Sequence, residues 1–381
     1  MNFTKSTLLI SFACLFLLGC NINSPRSFWS PYQKVNWAKI DYCDAEFHTH
    51  PGLGDEQYDP HQTVDRYYAE GYKILTLSGH DYHIPTEQIG SIYPWTRLES
   101  IYETIKDVKN PAEDNKTYGE IANEPYQDRN PVELGMVSVE GCEISAPHHV
   151  VSLFSSFSSG AENENETFRQ ITDLGGLAYF AHPGAYKMTG EWYVELYRKY
   201  DILLGQSVYN RIDNQPNDRN FFDEVVHALG KERPIWLFGE DDMHRESTLG
   251  WNRNVILIEN FQPGSMHSDV QDGSAPKVKK ALKNGHFYLW KPSEQYNKYS
   301  FYITEIETTK QKIKLVFSDE RKVKIIRWIT YQPEKSQSIN FYQGKTLTMD
   351  KVPESAKFVR AEIEGEGGTI YTQPFYIDTN S

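Results

Sequence analysis

Seven apolar, extended-looking runs alternate with helix-like segments between residues 41 and 244, and this alternation constrains the fold more than any other feature. The runs are DYCDAEFHTH, YKILTLSGHD, MVSVEGCEIS, HVVSLF, GGLAYFAHP, ILLGQSVYN and RPIWLFGEDDMH. Several are separated by segments with apolar residues at helical spacing, such as HQTVDRYYAEGY, TFRQITDLG and DRNFFDEVVHALG. Strands that alternate with helices predict an α/β fold with a parallel sheet, either open or closed into a barrel.

Residues that commonly bind metals stand at the ends of these runs. His48 and His50 are one residue apart, so they share a face of an extended chain and can reach one cation. Similar side chains occur in the other runs, namely His80, Glu143, His149, His182, Asp242 and His244. Catalytic groups of parallel barrels collect at the carboxyl ends of the strands. Imidazole and carboxylate together favour zinc, manganese or iron over calcium or magnesium alone, so the sequence predicts a transition-metal site.

The motifs HTH, SGHD, GCEIS, HHVVSLF, AHP and DDMH, in this order, resemble those of the PHP (polymerase and histidinol phosphatase) superfamily. The resemblance covers roughly residues 40 to 293. It implies a distorted (β/α)7 barrel that holds two or three divalent metal ions, Zn, Mn or Fe. The ligands that it implies are His48, His50, Asp55, His80, Glu143, His149, His182, Asp242 and His244.

The chain departs from the family pattern at three places. Gly79 precedes His80 where an aspartate is usual, which puts a supporting carboxylate in doubt. Glu240 stands where a small residue is common, so it either adds a ligand or narrows the pocket. Because His148 and His149 are adjacent, either one can be the histidine of the third motif. We favour His149 because it directly precedes the apolar run VVSLF.

The resemblance makes phosphoester hydrolysis the first functional prediction. Two metal ions about 3.5–4 Å apart activate water and hold both the attacking and the leaving oxygen. His83 is the candidate acid for the leaving group, with a solvated loop histidine as the alternative. Arg211 and Arg253 are candidate clamps for phosphate oxygens, with ordinary surface arginines as the alternative.

Two other functions remain open. The ending FVRAEIEGEGGTIYTQPFYI resembles the β-tails of exported relatives that cleave amide, ester or carbamate bonds. The third possibility is a non-catalytic lipoprotein that binds a metal or a ligand on a barrel that has lost its catalytic activity. A barrel that has lost its catalytic activity usually lacks at least one metal ligand, whereas all nine ligand positions here carry residues that can bind a metal.

The pattern of apolar and polar residues changes near residue 294. Alternating runs with short polar turns, from FYITEIETT to TIYTQPFYI, predict a small antiparallel β-domain over residues 294–381. The barrel is predicted over residues 36–293. Residues 20–35 are polar and carry two prolines, which predicts a tether.

The first residues, MNFTKSTLLISFACLFLLGC, combine Lys5, a short apolar run and a terminal cysteine. This pattern predicts an export signal over residues 1–19. LLGC resembles a bacterial lipobox, which implies a lipidated Cys20 and anchoring in the cell envelope, at the outer membrane or the periplasmic face. An ordinary secretory signal is the alternative.

The charge limits the possible partners. The net charge is −13, and it becomes −14 once Lys5 leaves with the signal. Nucleic acid binding requires basic surface, so the charge argues against nucleic acid as a partner. The resemblance implies a small, phosphorylated substrate, which the charge does not exclude because bound metal ions can invert the local potential. The sequence carries no signal for an oligomeric state. Cys43 lies five residues before His48, about 16 Å below the predicted site, whereas Cys142 adjoins Glu143, so both are predicted to be buried free thiols.

Overall fold

A computed structural model of the protein describes residues 26–51, 60–80, 95, 129–145, 147–157, 163–267 and 270–379. The predicted signal, Cys20, Asp55 and His83 lie outside the described residues. Within those ranges, none of the helices combines the length and the apolar character that a membrane span requires.

The described residues form short α-helices, several of which begin at a capping residue. Asn163 and Thr189, for example, accept a hydrogen bond from the first turn of the helix that follows. The α-helices are α1 Pro60–Ala69, α2 Pro131–Leu134, α3 Glu164–Asp173, α4 Gly190–Lys199, α5 Asp218–Leu229 and α6 Ala275–Asn284. Single 3-10 turns occur at Pro31–Lys34, Pro183–Ala185, Gly230–Glu232, Glu246–Thr248, Glu320–Lys322, Pro333–Lys335 and Met349–Lys351.

Strands make up most of the remaining described structure. In the first part of the chain they are β1 Ser27–Trp29, β2 Ile40–Glu46, β3 Ile74–Leu75, β4 Val137–Val139, β5 Gly141–Ile144, β6 Val150–Leu153, β7 Leu177–Phe180, β8 Leu203–Asn210, β9 Trp236–Glu240, β10 Arg253–Glu259, β11 Gly264–His267, β12 Val270–Gln271 and β13 Phe287–Pro292. In the C-terminal part they are β14 Ile303–Thr308, β15 Lys312–Phe317, β16 Val323–Gln332, β17 Gln337–Gln343, β18 Thr346–Thr348, β19 Phe358–Gly365, β20 Gly368–Tyr371 and β21 Phe375–Asp378. Each of the seven predicted runs contains a strand, and MVSVEGCEIS contains two, β4 and β5.

Two sheets share the strands of the predicted barrel. One follows the order β13-β10-β2-β3-β4-β11-β12, with β2, β3, β4 and β11 parallel and β10 antiparallel to β2. The other follows the order β5-β6-β7-β8-β9, in which only β6 runs antiparallel to its neighbours. The prediction of an α/β fold is confirmed, but the described strands do not form one closed (β/α)7 barrel. One physical reason is that only five residues join β5 to β6, and a parallel neighbour needs a crossover of a dozen or more.

The two sheets approach each other at the carboxyl ends of their strands. A parallel bridge joins Thr49, after β2, to Met243, after β9. A second parallel bridge joins His80, after β3, to Glu143 in β5. Below these bridges lies an apolar core, in which the rings of Tyr179 and Phe238 stack at 4.4 Å. The bridges therefore gather the polar ends of strands from both sheets around one place.

The C-terminal strands continue the first sheet. β20 pairs with β13, and β19, β16 and β17 follow, while β14, β15 and β18 form a separate three-stranded sheet. The prediction of antiparallel β-structure after residue 294 is confirmed in the described residues. The strands pair directly with β13, so the main sheet is continuous across the predicted boundary.

Residues 26–35 are packed against the fold, and the tether prediction is wrong for them. β1 pairs with β21. Tyr32 is 1% exposed, and its hydroxyl donates to the Phe287 carbonyl and accepts from the Gln373 amide, each at 2.8 Å. Burial of this aromatic ring outweighs the polar character of the segment. The prediction for the thiols is confirmed, because neither Cys43 nor Cys142 forms a disulfide and both are buried.

Candidate metal centre

Eight of the nine predicted ligands lie together at the carboxyl ends of the sheets, and the ninth, Asp55, lies outside the described residues. They come from six strand ends: His48 and His50 after β2, His80 after β3, Glu143 in β5, His149 before β6, His182 after β7, and Asp242 and His244 after β9. β6 runs antiparallel to β5, so the residue before β6 stands at the same edge as the end of β5.

The Glu143 carboxylate is the centre of the cluster. It is fully buried and faces five imidazoles. Oε1 lies 3.2 Å from His48 Nε2, 2.6 Å from His149 Nδ1 and 3.1 Å from His182 Nε2, and Oε2 lies 3.3 Å from His50 Nε2 and 3.0 Å from His80 Nδ1. Every one of these contacts joins residues that are distant along the chain or on different strands.

Asp242 forms a second carboxylate position beside the first. Its Oδ1 lies 3.1 Å from His50 Nε2 and 3.2 Å from His244 Nδ1. His50 therefore faces both carboxylates, Glu143 on one side and Asp242 on the other. The donor atoms fall into overlapping groups of three, within 4.8 Å of one another: His50, His80 and His244; His48, His50 and Asp242; His48, His182 and Glu240; and His80, Glu143 and His149.

The donor set fits a group of cations. The Nε2 atoms of His48 and His50 are only 3.0 Å apart, and both face carboxylate oxygens. Nitrogen ligands around a tetrahedral zinc ion stand roughly 3.3 Å apart, which is close to the spacing of the donor atoms here. Several imidazoles around buried carboxylates are a suitable set of ligands for transition-metal cations that bind between them.

Charge in the cluster also favours cations. Burial alone would raise the pKa of Glu143, but the surrounding imidazoles, His48 foremost, lower it well below its usual range. The pKa of Asp242 is lowered well below its usual range for the same reason. Burial lowers the pKa of His50 to about 3, so this imidazole is neutral near pH 7 and has a lone pair to offer. Burial opposes protonation of His48, His80 and His182, but the carboxylates, Glu143 foremost, raise the pKa of all three. Metal ligands must be deprotonated, so a cation that binds here displaces protons from these imidazoles.

Glu240 orients the histidines rather than narrowing the mouth. Its Oε2 lies 2.9 Å from His48 Nδ1, so a proton on that nitrogen leaves Nε2 facing the cluster. Its Oε1 accepts from the His182 amide, the Ser207 hydroxyl and the Asn210 amide group. A carboxylate that fixes the tautomer of a ligating histidine is the usual support of a metal site. Its position as the last residue of β9 is the sequence signal for this role.

Two further buried carboxylates, which sequence reasoning missed, tie the strand ends together. Glu46 Oε1 accepts from the amides of Phe47, His48 and Asp241. Asp241 accepts from the Tyr67 hydroxyl and from the three amides of residues 250–252. These bonds fix the backbone on which His48 and Asp242 stand. The available sequence signal is that Glu46 lies two residues before His48 and Asp241 lies within the DDMH motif.

The two adjacent histidines of the third motif point to different places. His149 Nδ1 faces Glu143, as described above. His148 is 1% exposed, with Nε2 2.6 Å from the Tyr193 hydroxyl and Nδ1 2.8 Å from the His149 carbonyl oxygen. The structure therefore brings His149 into the cluster and assigns His148 to packing.

Three of the seven described non-glycine residues with a positive φ lie at the same site. His182, Asp242 and Arg211 adopt φ angles of 28°, 44° and 54°, a region that non-glycine residues rarely occupy. Such strain clusters at functional sites, where the surrounding structure maintains it.

The two predicted phosphate clamps differ in position. Arg211 stands at the edge of the cluster, with its guanidinium 3.0 Å from Asp242 Oδ2 and 3.3 Å from His244 Nδ1. Arg253 is 1% exposed, donates to Asp44 at 2.8 Å and lies over the Tyr72 ring. The structure does not bring Arg253 into the cluster, because its charge is already paired inside the fold.

Asp218, at the start of α5, gives a prediction for the pH dependence of stability. Burial raises the pKa of Asp218 to about 7, and the Glu240 carboxylate adds to the rise. In the unfolded chain the pKa of an aspartate is about 3.9, so the folded state binds the extra proton between these values. This group therefore destabilises the fold progressively as the pH rises from about 4 to about 7.

We expect Asp218→Asn to raise the melting temperature at pH 8 and to leave it unchanged at pH 4. Thermal unfolding of metal-free protein at both pH values measures this without a contribution from cations at the neighbouring cluster. An equal shift at both pH values would contradict the assignment.

No family model matches the chain, and no curated protein matches it. Several solved structures align with parts of the chain. A two-domain protein from Bacteroides vulgatus, containing a predicted PHP-like metal-dependent phosphoesterase, aligns over 89% of this chain and 96% of its own, with 15% identity and a TM-score of 0.45. A proposed metal-dependent phosphoesterase from Bifidobacterium adolescentis aligns over 53% and 88%, with 11% identity and a TM-score of 0.34. An amidohydrolase from Chromobacterium violaceum, with bound sulfate and no metal, aligns over 62% and 96%, with 12% identity and a TM-score of 0.32. The function proposed below rests on the geometry of the site.

Proposed function

We propose that the protein is a metal-dependent hydrolase that cleaves phosphoesters at the cluster around Glu143. The observation that carries the proposal is that two of the donor groups, His48–His50–Asp242 and His80–Glu143–His149, have no residue in common. Each group can therefore hold its own cation, and the two positions adjoin because Glu143 Oε2 lies 3.3 Å from His50 Nε2. Adjacent cations activate water and stabilise both the attacking and the leaving oxygen of an in-line displacement.

The residues of the chain have distinct roles in this proposal. Glu143 and Asp242 supply the negative charge, and the histidines supply neutral nitrogen ligands. Glu240 holds His48 in the required tautomer through the bond at Nδ1. Arg211, 29% exposed at the edge of the cluster, is positioned to bind an oxygen of the phosphate group. His83 stays the predicted proton donor for the leaving group.

Removal of metal should abolish activity. We expect dialysis against a chelator to remove turnover and to lower the melting temperature, because a cation that binds only the folded state stabilises it. Added Mn²⁺ or Zn²⁺ should restore both. Metal analysis of the purified protein, followed by rate measurements on apo and reconstituted protein, tests this. Full turnover in protein that contains no metal would exclude the proposal.

The bond that is cleaved is tested by a panel of chromogenic substrates. Aryl phosphomonoesters and phosphodiesters should be hydrolysed, whereas aryl esters, amides and carbamates of the same leaving group should react far more slowly. The reverse order would assign amide, ester or carbamate cleavage to the same centre. Metal binding without turnover on any substrate would support the non-catalytic alternative.

We also propose that Cys20 is lipidated and anchors the protein in the bacterial cell envelope. The support is the LLGC sequence at residues 17–20. In a bacterial host, radiolabelled palmitate should be incorporated into the full-length protein and should be lost in Cys20→Ser. Labelling that persists in this variant would contradict the proposal. Wild-type protein that is soluble and carries no label would also contradict it.

A further inference from the structure

A second pocket, of about 430 Å³, lies where the C-terminal strands meet the segment after β8. Its walls include Tyr209, Asp213, Trp251, Lys291, Lys324 and Glu364. Arg211 stands between this pocket and the metal centre. Its guanidinium contacts Asp242, and its carbonyl oxygen faces Lys291 Nζ at 3.5 Å. The pocket is therefore close to the metal centre but is built from different side chains.

Lys291 is the unusual group of this pocket. Its ammonium group, on a half-buried side chain, donates to the Trp251 carbonyl at 3.1 Å and lies 4.7 Å from the centre of the Trp251 ring. The Tyr209 ring lies 5.6 Å from it on another side. Among the described residues, no carboxylate lies within salt-bridge distance of Lys291. An ammonium group has three donors, and the two carbonyl oxygens occupy only two of them.

The carboxylates near the pocket are already paired. Asp213 accepts two hydrogen bonds from Arg219, at 2.9 and 3.1 Å. Glu364 accepts one from Arg327 at 2.9 Å. The buried Asp241, which also acts on Lys291 electrostatically, accepts four hydrogen bonds from other groups.

Lys324 is exposed on the pocket wall, and no carboxylate in the described part of the chain pairs with it. The pocket thus has two lysines without a carboxylate at salt-bridge distance among the described residues, in a protein whose net charge is −13. Burial lowers the pKa of Lys291 to about 8, so the group is still largely charged at pH 7. A concave, partly desolvated positive site concentrates anions.

We propose that this pocket binds a small molecule through an oxyanion group, a carboxylate or a phosphate, with Lys291 as the anchor. The third N–H of Lys291 donates to the anion, and Lys324 adds charge from the rim. The rings of Trp251 and Tyr209 hold the ammonium group in place by cation–π contact. The site requires no metal, so the test of this proposal is independent of the test of the hydrolase proposal.

Isothermal titration of metal-free protein at low ionic strength tests the proposal, with inorganic phosphate as one probe and acetate as the other. Metal-free protein is used because phosphate would also bind cations at the cluster. We expect one site for at least one probe, and the comparison of the two identifies the preferred oxyanion. Lys291→Met should weaken binding about tenfold or more, and Lys291→Arg should retain most of it.

Lys310→Met is the matched control, because Lys310 is an exposed lysine that does not line the pocket, and it should bind as the wild type does. If Lys291→Met fails to fold, Lys324→Met, which changes an exposed side chain, should still weaken binding about threefold. Absence of binding of both probes to the wild-type protein would overturn the proposal. Unchanged affinity in Lys291→Met, or in Lys324→Met where that variant takes its place, would also overturn it.

Discussion

Glu143→Gln should reduce turnover by roughly 1000-fold or more, with the fold retained. Glutamine keeps the volume of the side chain but removes the charge that faces His48, His50, His80, His149 and His182. Cations at such centres supply several kcal/mol of transition-state stabilisation, and each 1.36 kcal/mol corresponds to a factor of ten in rate. The metal content should fall in parallel. Metal analysis, phosphoester kinetics and the far-UV circular dichroism of the variant measure the three effects.

Glu191→Gln is the matched control, because Glu191 is exposed on α4 and lies outside the donor groups. It should keep the wild-type rate and metal content. His48→Ala and Asp242→Ala should also abolish turnover while the fold is retained. A Glu143→Gln variant with wild-type metal content and rate would remove the basis of the proposed centre.

Arg360→Met should destabilise the protein by about 3–5 kcal/mol, which is the cost of leaving a buried charge unpaired. Arg360 is 2% exposed and donates to Asp223 through two bonds, at 2.7 and 2.8 Å. It also donates to Glu362 at 2.6 Å. Arg360 stands on β19 and the fully buried Asp223 on α5, so this pair joins the C-terminal strands to the helices of the second sheet. Urea unfolding of the two proteins measures the difference in free energy.

Arg321→Met provides the comparison, since Arg321 is 88% exposed and pairs with Asp319 at the surface. It should leave the unfolding midpoint unchanged. The double variant Asp223→Leu with Arg360→Met should recover part of the lost stability, because both charges are then removed together. A cost for Arg360→Met no larger than that of Arg321→Met would show that the buried pair does not stabilise the contact between these parts.

Sequence reasoning located the chemistry better than the architecture. The H-x-H spacing of His48 and His50 and the polar ends of the other runs were sufficient to predict side chains that the fold brings together. The end of a strand can be predicted from the local sequence, because the pattern of apolar residues stops where the chain leaves the core. The distorted (β/α)7 barrel is not confirmed, because whether two neighbouring runs pair parallel or antiparallel depends on the connection and on the partner across the sheet. In β5 and β6 a short connection imposed the antiparallel arrangement.

The role of Arg253 could not be read from its neighbours in the chain. The residues that decide it are Asp44 and Tyr72, which are distant in sequence and adjacent only in the folded protein. The same holds for Glu240, whose carboxylate meets His48 across 192 positions of the chain. Tyr32 and the segment around it have a polar composition, and only the β21 strand and the core beneath it explain why they pack.

By itself, the sequence determined the α/β character, the antiparallel C-terminal strands and the residue types that stand at the strand ends, because periodicity and spacing are properties of the chain. The tertiary structure alone decided the division into two sheets, the pairing of Arg253 with Asp44 and the convergence of five imidazoles on Glu143. Each of these depends on contacts between residues far apart in sequence, whose pairing is set by the packing of the whole core.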